Sequence, residues 1–376
     1  MQRKLYLDCA STTPIHPEVL ATYTKLLNDS FYNVDALYDD ATTIKKMMEK
    51  SREATAKLLN VDSEEILFTS GASEANSLAT KGLALKNQHL GRHIITSAYE
   101  HASVLNAIKQ LEETFGFEVT YLKPNENGII SEQMVKQALR NDTILVSIMH
   151  VNNEVGAINP VESIAKIVKY DSNAFMHVDE TQALGKIKIN LKDIDLASFS
   201  AHKIEGLKGS GILYKKRHVE LLALINGGQQ EHNLRGGTSN ALVNILFAKT
   251  LRIALENQQK YAKHLHALHD HFIQCLQQEA KIQINSLEPS VDAIINFSCR
   301  SLTSEVMLNA LNARGIMVSA LSTCHSKSST SHVLASLGYD DDRIKHSLRV
   351  SFDHHLTIDD IDYFMANLKE IIQKYD

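Results

Sequence analysis

At 376 residues the chain exceeds what one hydrophobic core commonly serves, so two domains are expected. Its composition, 44% hydrophobic and 22% charged, excludes a disordered or low-complexity chain. A net charge of −5 gives no broad basic field for direct nucleic-acid binding, and no apolar stretch approaches a bilayer span.

The opening text, "MQRKLYLDCAS", turns polar too soon for a secretory leader, which points to the cytoplasm. From about residue 40 helical and strand-like segments alternate. "TTIKKMMEKSREATAKLLN" places Ile44, Met47, Met48 and Leu58 at helical spacing. Short apolar runs follow: "EILFTSG", "RHIITSA", "FEVTYLK", "TILVSIMHV", "AFMHVDE", "LASFSAH" and "SGILYKK". Helical stretches between them predict an α/β domain with a mainly parallel sheet. After Gly237 a long helical region, with room for one break, leads into a smaller α+β unit. That unit has strands "AIINFSC", "IMVSA" and "SLRVSF" and a final helix "TIDDIDYFMANLKEIIQKYD". The expected division is a large domain over 14–256 and a small one from 1–13 and 257–376.

Three motifs carry chemistry. "FTSGASEANS" runs from a strand through small residues into a helix, and free amides at a helix start bind phosphate, although most such turns bind nothing. In "MHVDETQ", Asp179 ends a buried strand and needs a partner: a cap, a salt bridge or a cationic ring nitrogen. In "SFSAHKIEGLKGSG", Lys203 follows a strand directly and could form a Schiff base if desolvated; a solvated loop lysine is the alternative, and Lys208 is a competitor. Phosphate cup, ring acid and imine lysine, in that order, are what pyridoxal 5'-phosphate requires.

The four cysteines, Cys9, Cys275, Cys299 and Cys324, contain no C-x-x-C pair, so neither a disulfide framework nor structural zinc is expected. Four histidines in "HLHALHDH" (His264, His266, His269, His271) do not converge on one helix face beyond pairs, and no metal site is expected there. Cys324 stands apart, in a serine-, threonine-, lysine- and histidine-rich stretch where a thiol would be reachable and able to move.

The chain resembles the pyridoxal-phosphate-dependent cysteine desulfurases of the class V aminotransferase group. The resemblance runs through "YLDCASTTPIHPEV", "FTSGASEAN", "HIITSAYEHASV", "TILVSIMHVNNEVG", "HVDETQALGK", "SFSAHKIEGLKGSGILY", "LRGGTSN" and "RVSF", nearly the whole chain in order. It implies a fold-type I pyridoxal enzyme that converts L-cysteine to L-alanine. By this resemblance Lys203 is the Schiff-base lysine, Asp179 holds the pyridine nitrogen protonated, and His101 stacks on the ring and moves protons. Asn153 and Gln182 bond the ring hydroxyl, while Ala72, Ser73, Ser200 and His202 form the phosphate cup. Thr238 reaches the phosphate of a neighbouring subunit, implying a homodimer with shared sites. Arg349 and Asn33 hold the substrate carboxylate. Cys324, on a mobile loop of the small domain, takes the sulfur as a persulfide. It hands that sulfur to an acceptor protein, either a transfer-RNA sulfurtransferase or an iron–sulfur scaffold.

The chain also departs from the family. Its cysteine loop reads "ALSTC" rather than "SGSAC" and is closer to the branch serving transfer-RNA thiolation. Val34, Tyr38, Glu180, Glu205 and Leu207 replace common family residues, and "FDHHLT" replaces text that carries a basic group near Arg349. A selenocysteine lyase or other class V pyridoxal enzyme is one alternative. A catalytically degenerate, partner-binding subunit is the other, supported by Glu180 and the altered "NVDALY".

Overall fold

The computed structural model describes residues 3–320 and 331–375. Two β-systems share one long helix. Strand β1 (Leu5–Tyr6) lies far from the strands that follow it in the chain: β2 (Ile66–Thr69), β3 (His93–Ser97), β4 (Glu118–Leu122), β5 (Thr143–Ser147), β6 (Phe175–Asp179), β7 (Leu196–Ser200) and β8 (Gly211–Lys215). The latter seven form one sheet in the order β2-β8-β7-β6-β5-β3-β4. Strands β4, β3, β5, β6 and β7 pair in parallel, whereas β8 is antiparallel to both β7 and β2.

Both faces of this sheet are covered, which explains the continuous apolar runs in the sequence. Successive side chains alternate between faces. Ile66, Phe68, Ile95, Ala197 and Tyr214 enter one core, with Phe247 and Leu251 of the long helix. Leu67, Ile94, Leu196 and Leu213 enter the other, with Leu83, Val104 and Ile108.

The small unit pairs β10 (Ile294–Cys299) with both β9 (Ile282–Ile284) and β12 (Ser347–Ser351), all antiparallel. Strand β11 (Ile316–Met317) runs parallel to β1, so the start of the chain joins this unit. Its core combines Leu5 and Leu7 with Phe297, Leu348, Phe364 and Leu368. The long helix, Ala241–Gln277, is unbroken over 37 residues, so the break the sequence allowed is not used. Its first half packs into the large core and its second half, with Leu265, Leu268 and Phe272, into the small one. No helix among the described residues is long and apolar enough to cross a membrane.

Candidate active site

The carboxyl ends of parallel strands are where an open α/β sheet leaves a crevice. Here the segments after β2, β3, β5, β6 and β7 line one cleft of about 910 Å³. Ala72, Ser73, His101, Asn153, Asp179, Gln182, Ser200, His202, Lys203 and Arg349 all line it. Ten residues scattered over 278 positions of sequence are thus brought together.

Ala72 and Ser73 open the helix that follows β2, where backbone amides lack intrahelical acceptors. Gly71, its cap, has φ 144°, a conformation that favours glycine. A Cβ on Gly211 would lie 2.5 Å from the Gly71 Cα, so the two glycines let the helix start press against β8.

Asp179 is buried. Its Oδ2 accepts from Asn76 Nδ2 at 2.8 Å, and its Oδ1 accepts from the Thr181 amide at 2.9 Å. Asn76 also donates to Ser103 Oγ at 2.9 Å, and that hydroxyl lies 2.8 Å from His101 Nδ1. Because the Ser103 amide also donates to Nδ1, the proton of neutral His101 sits on Nε2. His101 keeps surface open to the cleft, yet protein atoms crowd it. Burial lowers its pKa, Asp179 opposes this, and Lys203 and His332 reinforce it.

Lys203 Nζ donates to the carbonyls of Ala10 at 2.5 Å and Ser11 at 2.7 Å. Burial, then repulsion by Arg349 and Lys186, lowers its pKa to about 7, so a large fraction is the free amine near neutrality. Lys208 also lines the cleft. His202, held by Thr12 Oγ1 at 3.2 Å, is lowered to about 4 by burial and its lysine neighbours.

Arg349 is buried. Its Nη1 donates to the Asn153 carbonyl at 2.9 Å, and its Nη2 donates to Asp8 Oδ1 and Ser11 Oγ, both at 2.7 Å. Among the described residues its buried Nε has no acceptor. Gln182 spends its Nε2 on the Ala10 carbonyl at 2.8 Å and keeps its Oε1 near Lys186 at 3.4 Å.

Two predicted residues are placed elsewhere, and a third is not described. Asn33 and Thr238 are exposed and do not line this chain's cleft. Cys324 lies in 321–330, outside the described residues. The flanks of that segment, Ser319, Ala320, Ser331 and His332, line the cleft, and Ser319 pairs with Arg349 through two backbone hydrogen bonds.

Two acidic residues had no motif to announce them, Glu154 in the cleft lining and Glu100 buried outside it. Glu154 accepts from Ser331 Oγ at 2.5 Å, and burial raises its pKa. Buried Glu100, next to His101, accepts from Ser97 Oγ at 2.6 Å and the Met149 amide at 2.8 Å. Burial lifts its pKa to about 8, leaving it largely neutral at pH 7. Its adjacency to His101 in "YEHASV" was the one available signal. Glu180, a departure from the family, does not line the cleft. It is fully buried, 2.7 Å from His150 Nδ1. Burial disfavours the charged imidazole of His150, but Glu180 outweighs it and the net direction is upward.

The aminotransferase class-V family model matches residues 5–364. A cysteine desulfurase IscS of Dictyoglomus turgidum is 37% identical over 379 residues, spanning all of this chain and 96% of that protein. A solved NifS-like protein superposes with a TM-score of 0.93 at 34% identity, covering 99% of this chain and all of that one. The structure of SspA in complex with cysteine gives a TM-score of 0.82 at 33% identity, over 93% and 99% of the two chains. The chain belongs to the class-V aminotransferase family and groups within it with the cysteine desulfurases.

Proposed function

We propose that the protein is a pyridoxal-phosphate-dependent cysteine desulfurase that removes sulfur from L-cysteine, releases L-alanine and carries the sulfur on Cys324 to an acceptor thiol. The observation that carries this reading is the convergence of a lysine with a pKa near 7, a buried aspartate and a helix start on one cleft. The donor set fits the cofactor. Ala72 and Ser73 amides with Ser200 and His202 suit its phosphate, Asp179 suits its ring nitrogen, and Asn153 and Gln182 suit its ring hydroxyl. When bound, pyridoxal phosphate supplies an electrophilic carbon and an electron-withdrawing ring.

The chain's own groups do the rest. Lys203 would hold the cofactor through its Nζ, and the same Nζ accepts the substrate α-proton and later returns it to the α-carbon. His101, neutral at pH 7 with its proton on Nε2, is placed to pass protons. The Arg349 guanidinium, in the lining of the cleft, takes the substrate carboxylate, and Asn33 joins it in the assembled site. The thiolate of Cys324 attacks the substrate sulfur. A sulfur–sulfur bond forms as the carbon–sulfur bond breaks, and the electron pair left on the substrate carbon takes a proton to give alanine.

The described thiols are poor candidates for the attacking role. Burial raises the pKa of Cys9, Cys275 and Cys299 alike. Four chain steps separate Ala320, at the cleft, from Cys324, a covalent reach of at most about 14 Å.

The two-core packing, with Leu5 and Leu7 in the core of the unit after 257, supports the two-domain division expected from sequence. A homodimer is part of the proposal. Leu37 is 97% and Phe31 75% exposed beside Asn33, an apolar patch that a second copy would cover. The acceptor is a cysteine-bearing sulfur-carrier protein, of the transfer-RNA-thiolation or iron–sulfur-scaffold kind, and the chain works in the cytoplasm.

The test is turnover of L-cysteine with a reductant by cofactor-loaded protein. Wild type should release alanine and sulfide in equal amounts. Cys324→Ser should take up cofactor and bind L-cysteine but release almost no sulfide. Lys203→Ala should release neither product. Normal sulfide release by Cys324→Ser would remove the shuttle role.

A further inference from the structure

Two departures from the family text, far apart in sequence, meet in space. Glu205 stands where tyrosine is common, and His354–His355 lie in the replaced text after β12. Glu205 Oε1 is 2.8 Å from His355 Nε2, and ligand atoms of Glu205, His354 and His355 all lie within 4.8 Å of one another. Glu205 is buried and held in a left-handed backbone conformation, φ 61°, which fixes where its carboxylate goes. The His354 ring is clamped in a stack, 3.6 Å from the Tyr261 ring at an interplanar angle of 6° and 3.9 Å from the His355 ring. Among the described residues no group hydrogen-bonds a His354 ring nitrogen. A cavity of about 70 Å³ adjoins the cluster, lined by Glu205, Tyr261, Asp353 and His354.

We propose that Glu205, His354 and His355 form a binding site for a divalent transition-metal ion of the zinc class. Two imidazoles and a carboxylate are a recognised ligand set for such an ion, with water completing four-coordination. Binding replaces the direct Glu205–His355 bond with two bonds to one cation. The ion joins the segment that follows Lys203 to the segment that follows Arg349. Both departures were visible in the sequence, but their meeting was not, because Glu205 and His355 are 150 positions apart.

The experiment is zinc binding by the full chain after treatment with a chelator, in a Cys324→Ser background so that this thiol does not compete. Equilibrium dialysis should show one zinc ion more per chain than in the His354→Ala/His355→Ala variant. X-ray absorption of the zinc-loaded chain should show nitrogen and oxygen at about 2.0–2.1 Å and no sulfur at about 2.3 Å. Glu205→Gln, a milder change that keeps size and hydrogen bonding, should weaken binding at least about tenfold while far-ultraviolet circular dichroism stays native. Equal zinc content in wild type and the double histidine variant, or a sulfur-dominated ligand shell, would overturn the proposal.

Discussion

Burial does most to lower the Lys203 pKa, and repulsion by Arg349, which lines the same cleft, lowers it further. Removing the guanidinium removes that repulsion. It also frees Asp8, whose carboxylate already favours the charged lysine. Both effects raise the lysine pKa. Capture of pyridoxal phosphate by the cofactor-free chain, followed by visible absorbance, should therefore accelerate through about pH 7 in wild type. In Arg349→Gln the midpoint should move to higher pH; an unmoved or lowered midpoint would show that Arg349 does not tune the lysine. Lys203 was legible as a candidate from its own motif, Arg349 only as a role implied by resemblance. Their partners were not. Nothing in the text around Asn76 showed that it would join Asp179 to Ser103, because that bond spans 103 positions.

At the scale of elements, most strands of the large sheet could be read directly because burial on both faces leaves them largely apolar; the edge strand β4, EVTYL, is partly exposed. Strands β1 and β9 could not, being two and three residues long with no period to detect. The reversed direction of β8 was equally hidden, since an apolar run carries no sign of its direction. Joining elements is left to buried polar contacts. Arg52, on the helix Asp39–Leu59, makes a paired ion bridge to Glu231 at 2.7 and 2.9 Å, and Glu231 also accepts from the Phe68 amide of β2 at 2.8 Å. Both charges are buried. Arg52→Ala leaves a carboxylate without its counter-charge and should destabilise the fold by about 3–5 kcal/mol, measured by urea denaturation. A loss below about 1 kcal/mol would mean that water or a rearranged loop replaces the guanidinium.

At the scale of the molecule, the cleft sits where the sheet's carboxyl ends meet the small unit, and each unit supplies part of it. Lys203, Asp179 and His101 come from the large core's loops, Arg349 from β12. The order of motifs in the sequence anticipated this convergence, because each large-sheet motif follows a strand. Asn33 and Thr238 are the exception, since both are exposed and lie outside this chain's cleft. The segment with Cys324 is bracketed by residues at the cleft mouth, so the central claim concerns one thiol and one lysine acting together. Intact mass of the cofactor-loaded protein after a brief L-cysteine pulse without reductant tests it most directly. The account predicts a gain of one sulfur atom mapped to Cys324, with alanine formed in step, and neither in Lys203→Ala. Alanine formation with no sulfur on Cys324, or sulfur on Cys324 in the lysine variant, would contradict it.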